Sequence, residues 1–178
     1  MASGKSTYAR AVAKMLGLPC FSMDQMRTRA WADGVKGGGQ RETRARQLLS
    51  DAIDRNAAFV MERTGTGEFD QAILHKLMVG KRKTMRVLIY ATATTCAKRR
   101  ESRGDHRAYP LPDWMTDPEG YIYQTADRLD DLKRREVYKI VIGNDANKTA
   151  KKLGEEAQMI AQVARVYFEK EMVDGGRL

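Results

Sequence analysis

The sequence predicts an α/β fold: a three-layer sandwich with a parallel sheet covered by helices on both faces. Three observations predict it. Short apolar segments alternate with stretches patterned for helices. The segments are apolar throughout, as in strands buried on both sides, and not alternately apolar and polar. The 178 residues, 42% hydrophobic and 31% charged, suit one domain with a substantial core.

The elements follow in order. "TYARAVAKML" places Ala9, Val12, Ala13 and Leu16 at helical spacing, with Gly17 and Pro19 to stop the helix. "LPCFSMD" reads as a short buried strand whose carboxyl end carries Asp24. "MRTRAWADGVKGGGQRETRAR" reads as a mobile connection into a helix near 41 to 56 that buries Leu48, Leu49, Ala52 and Ile53. "AAFVMERTGTG" is a strand that leaves the core for a glycine-bearing loop. "FDQAILHKLMVGKR" is a helix closed by Gly80, and "TMRVLIYATA" is the clearest strand of the chain. "TTCAKRRESRG" is helical up to Gly104, followed by an irregular stretch with Pro110, Pro112 and Pro118. "YKIVIGND" is the last strand, and a long helix from about 149 to 172 follows, with Leu153, Ile160, Val163, Ala164, Tyr167 and Phe168 as its core-facing stripe.

Composition narrows the function. No apolar run reaches the length of a membrane span and the opening residues lack a secretory pattern, which points to the cytoplasm, with no membrane and no obligate protein partner. Cys20 and Cys96 lie far apart and only two histidines are present, so the pattern predicts buried, reduced thiols and neither a disulfide framework nor a zinc site. The formal charge of +9 attracts polyanions, nucleic acid above all, although a basic surface also serves solubility.

The chemistry starts at "ASGKST". Gly4, Lys5 and Ser6 match the end of G-x-x-x-x-G-K-[ST], and a helix follows as that motif demands. Backbone N–H groups of such a loop wrap phosphates, the lysine reaches the terminal ones and the hydroxyl holds magnesium. The first glycine and the strand that should feed the loop have no counterpart ahead of Met1. The expectation is that the chain lacks that strand as it stands or begins upstream in nature.

"FSMDQMR" offers a partner for the loop. Asp24 suits a general base for an attacking hydroxyl and Arg27, three residues on, a grip on an anionic acceptor; a capping aspartate with a solvated arginine fits the same residues. In "AKRRESRGDHRAYP", Arg99 and Arg103 share a helix face and Gly104 supplies a hinge. They form either a lid over polyphosphate, about 97 to 118, or a solvated basic helix end. Arg27, Arg29, Arg41, Arg44 and Arg46 could line an acceptor groove, with Trp31 and Trp114 as stacking surfaces or as ordinary packing. Asn144 to Asn147 lie either beside an adenine or in a simple turn.

"ASGKSTYAR", "FSMDQMR" and "AKRRESRGDHRAYP", in that order, resemble phage polynucleotide 5'-hydroxyl kinases. That resemblance implies a P-loop NTPase-type fold in which Ser3, Gly4, Lys5, Ser6 and Thr7 bind ATP and Ser6 holds Mg2+. It makes Asp24 the general base, assisted by Lys5, places Arg27 on the acceptor phosphate, and gives Arg99 and Arg103 to the lid. "AAFVMERTGTG" is similar instead to the zeta-toxin kinases, which implies that Glu62 and Thr64 contact the acceptor; Arg63 between them departs from the polynucleotide kinase pattern. The implied acceptor is nucleic acid, DNA ahead of RNA, through a terminal 5'-hydroxyl or a hydroxymethyl-pyrimidine in phage DNA. The alternatives are a nucleotide sugar or other small molecule, as in the toxin branch, and a basic nucleic-acid-binding protein without turnover.

Overall fold

A computed structural model of the chain describes residues 3–64, 67–103, 117, 120–125, 138–146 and 148–174. Helix α1 spans Lys5–Leu16 and ends at Gly17 in the left-handed conformation, where glycine is unstrained. Strand β1, Cys20–Ser22, runs directly into α2, Met23–Ala32. Helix α3 spans Gly38–Arg55, β2 Val60–Glu62, α4 Glu68–Val79 and β3 Val87–Tyr90. Helix α5, Ala93–Arg103, strand β4, Ile140–Gly143, and helix α6, Ala150–Asp174, complete the order, with a short helical segment at 120–125.

All described strand pairs are parallel. Cys20, Phe21 and Ser22 oppose Val60, Met61 and Glu62, while β3 opposes β4 from Val87–Ile140 to Tyr90–Gly143. The described residues thus form two two-stranded sheets. Strand alternation sends neighbouring side chains of β2 into different cores. Met61 packs with Phe21 and Phe59 against α2, α3 and α4, around Met26, Leu48, Leu49, Ile53, Ile73 and Leu77. Val60 packs into a second cluster, built by Tyr8 and Val12 of α1, Ile89, Ile142, and Ala157, Ile160 and Ala161 of α6. Helices therefore cover both faces of the β1–β2 pair, as the three-layer reading requires.

Three local expectations need correction. Residues 23–32 are helical and not a mobile connection: Ser22 caps α2 by accepting from the Gln25 N–H, and Met26 and Ala30, four apart, bury one narrow stripe. In α6 the buried stripe follows Ala157, Ile160, Ala161 and Ala164, which leaves Val163 and Phe168 exposed. Cys96 is buried but Cys20 is only half-buried, and both thiols are free; burial, ahead of the nearby Glu62 carboxylate, pushes the Cys20 thiol up.

Candidate active site at the carboxyl ends of the strands

The loop that opens the chain supplies the donor end. Gly4 holds φ 91°, a region that costs other residues strain, and serves as the amino cap of α1. The N–H groups of Thr7 and Tyr8 both return to the Gly4 carbonyl, at 3.0 and 3.2 Å. Those of Lys5 and Ser6, in the first turn, have no carbonyl of their own helix to bond. An anion is favoured at that place by the helix dipole and by these N–H groups. Lys5 Nζ lies 3.4 Å from Ser3 Oγ, so the ammonium stays folded over the loop.

Ser6 Oγ donates to Glu62 Oε2 at 2.9 Å. This contact assigns Glu62 a place that the sequence reading did not foresee, beside the donor loop. The signal was present in "AFVME", an apolar strand ended by a carboxylate. A hydroxyl and a carboxylate are hard oxygen donors of the kind Mg2+ accepts when phosphates and water complete its shell. Among the described residues no group of three His, Cys, Asp or Glu side chains could hold a metal alone.

The candidate base stands on the neighbouring strand. Ser22 is in register with Glu62, so Asp24, two residues later in the first turn of α2, shares the carboxyl edge of that sheet. Because Ser22 supplies the cap, the Asp24 carboxylate is not used for it; its side chain is 74% exposed. Arg27 Nη1 reaches Asp24 Oδ1 at 2.9 Å, as their i, i+3 spacing predicts. Its other edge grips Glu42, with Nε at 2.8 Å from Oε2 and Nη2 at 3.1 Å from Oε1. Burial would raise the Glu42 carboxyl, but the Arg27 hydrogen bonds and charge, and then those of Arg46, hold it below the usual carboxylate range. Glu42 was not singled out in the sequence, where it stands among arginines fifteen residues from the one it binds.

The remaining candidates are largely occupied by partners within the protein. Thr64 Oγ1 donates to Asp70 Oδ2 at 2.9 Å and Arg63 Nε lies 3.3 Å from Asp70 Oδ1, so the loop after β2 is tied to the start of α4. Burial draws the Arg63 guanidinium below its ordinary range. Arg44 sits 3.9 Å from Asp33, Arg46 joins Arg27 on Glu42, and Arg41 is buried. Trp31 stacks under Lys36, 3.8 Å from the ring centroid, with Arg41 at 5.4 Å. Of the five arginines expected along an acceptor groove, Arg27, Arg44 and Arg46 thus lie beside carboxylates, Arg41 is buried and Arg29 is exposed.

On the other side of the loop, Arg99 of α5 donates from Nη2 to the Ala146 carbonyl at 3.3 Å. Asp145 accepts from the Thr92 N–H, the main reason its carboxyl lies below the usual range. These bonds tie the start of the expected lid helix to the turn after β4. The Arg103 side chain, residues 104–116 and Trp114 lie outside the described residues. In the stretch expected either beside an adenine or in a simple turn, Asn144 donates from Nδ2 to the Ser3 carbonyl at 2.8 Å, while Asn147 lies outside the described residues.

No family model matches the sequence, and no curated protein matches it. Among solved structures, shikimate kinase from Acinetobacter baumannii in complex with shikimate is similar. The two are 21% identical over 94% of this chain and 89% of that one, with a TM-score of 0.61. The likeness is one of fold, an α/β architecture with parallel strands shared with that kinase.

Proposed function

We propose that the protein is an ATP-dependent kinase that phosphorylates a hydroxyl of a small molecule, with Mg2+ bound together with the nucleotide. The observation that carries this is the Ser6–Glu62 contact beside Lys5, with Asp24 on the adjoining strand's end. Ser3 to Thr7 hold the phosphates, Lys5 neutralises charge on the terminal ones, and Ser6 with Glu62 provides the oxygen donors that suit Mg2+. Asp24 accepts the proton of the acceptor hydroxyl as its oxygen attacks the γ-phosphorus; the bond from that phosphorus to the bridging oxygen breaks and ADP leaves. Arg27, held between Glu42 and Asp24, orients the base. Arg99 and Arg103 are assigned to the lid over the polyphosphate.

Two observations support a small acceptor. Four of the five arginines expected in a polyanion groove lie beside Glu42 or Asp33 or are buried, and the similar solved structure is a kinase in complex with a small molecule. The net charge of +9 favours a second reading, a hydroxyl of nucleic acid. Transfer of label from γ-labelled ATP separates them, offered in parallel to small polyols, nucleotide sugars, 5'-hydroxyl oligonucleotides and hydroxymethyl-pyrimidine DNA. Label is expected on a small molecule, lost with Lys5→Ala and with Asp24→Asn, while Asp24→Asn still binds ATP. Transfer to DNA alone establishes the second reading, and wild-type protein without Mg2+-dependent ATP binding refutes both.

A further inference from the structure

The structure assigns Asn144 as a positioning residue of the phosphate loop, an inference that rests on the kinase reading and adds a residue to its donor site. The β3–β4 ladder continues one step past its last pair, through the Asn144 N–H donating to the Tyr90 carbonyl at 2.8 Å, and this fixes where the Asn144 side chain starts. Its amide then spans to the Ser3 carbonyl, with Asn144 and Ser3 both buried. The two groups sit close together: a Cβ placed on Gly4 would run into Asn144 Nδ2.

The consequence follows from peptide geometry. In a planar trans peptide the C=O and N–H point in opposite directions, and the described residues contain no cis bond. Holding the Ser3 carbonyl on Asn144 therefore turns the Gly4 N–H away from β4. The same bond keeps the negative end of that peptide from facing a bound polyphosphate. Without the amide, the Ser3–Gly4 peptide is free to rotate and to present an acceptor where the loop needs a donor. Asn144 thus sets the orientation of the loop.

The test uses displacement of a fluorescent ATP analogue from the whole chain by two probes, tripolyphosphate, which reports the phosphate loop, and adenosine, which carries no phosphate. Asn144→Ala removes the donor; Asn144→Asp keeps the size and puts an acceptor against the carbonyl. Loss of a bond to a buried carbonyl predicts about tenfold weaker tripolyphosphate binding in both variants, with adenosine unchanged. Circular dichroism and thermal melting confirm that each variant is folded at the assay temperature. Unchanged tripolyphosphate binding overturns the inference, as does equal weakening of both probes or wild-type behaviour of Asn144→Asp. Wild-type protein that neither probe displaces and that binds no ATP overturns the kinase reading as well.

Discussion

Glu62→Gln separates a metal-side role from an acceptor-side one. Glutamine keeps the length of the side chain and still accepts from Ser6 Oγ, now 2.9 Å from Glu62 Oε2, but it removes the negative charge that favours a divalent cation at the hydroxyl. One unit charge about 4–5 Å from a divalent cation contributes about 1.5–2 kcal/mol in bulk water. Ser6 is exposed, so water screens the charge and the lower end, about 1.5 kcal/mol, is appropriate. That converts to about a tenfold rise in the magnesium concentration at half-saturation. The assay titrates MgCl2 into the protein with a fluorescent ATP analogue at fixed ionic strength, alongside acceptor kinetics. An unchanged magnesium midpoint with a raised acceptor KM would refute the reasoning and return Glu62 to the acceptor.

Three further expectations concern the base and the fold. Asp24→Asn abolishes transfer and leaves ATP binding within about twofold, because a base acts on the acceptor and not on the donor; isothermal titration that shows ATP binding lost would reassign Asp24 to metal or structure. Ile53, 1% exposed in the core of α2, α3 and α4, is predicted to cost about 3–4 kcal/mol when truncated to alanine, a drop in Tm of about 10 °C; urea melts that show under 1 kcal/mol would mean that this core is loosely packed. Glu42, Glu156 and Asp145 all titrate below their ordinary range in the folded chain. The unfolded chain takes up protons first as pH falls, so stability is full above about pH 4.3 and declines below it through the folded values. Glu42→Gln should make that acid limb shallower in denaturant melts run at a series of pH values, and an unaltered limb would show that the Arg27 pair contributes nothing.

What was legible in the sequence was whatever lies within one element or one turn. The apolar strands, the helix stop at Gly80 and the loop-to-helix step at Gly4 are local, and the structure has them. So is the Asp24–Arg27 pair, three residues apart on one helix. Helix α2 escaped notice because it buries only Met26 and Ala30 of ten residues, too thin a stripe to stand out from "MDQMRTRAWA"; the capping serine before it was the available clue. The partners that decide the site are long-range: Ser6 with Glu62, Asn144 with Ser3, Arg27 with Glu42. A single sequence carries no mark of which carboxylate an arginine will meet across two helices. Thr64 shows the same limit, since its hydroxyl is satisfied by Asp70 of the next helix.

Beneath the loop, Val60 and Met61, adjacent in β2, belong to two separate cores. The Ser3–Ser6 turn touches the end of β2 through Glu62 and the end of β4 through Asn144. It therefore bridges the two strand pairs, which also meet where Val60 packs against α1. A ligand held there opposes any opening that breaks either contact. Nucleotide binding should then slow hydrogen exchange at the ends of β2 and β4 together.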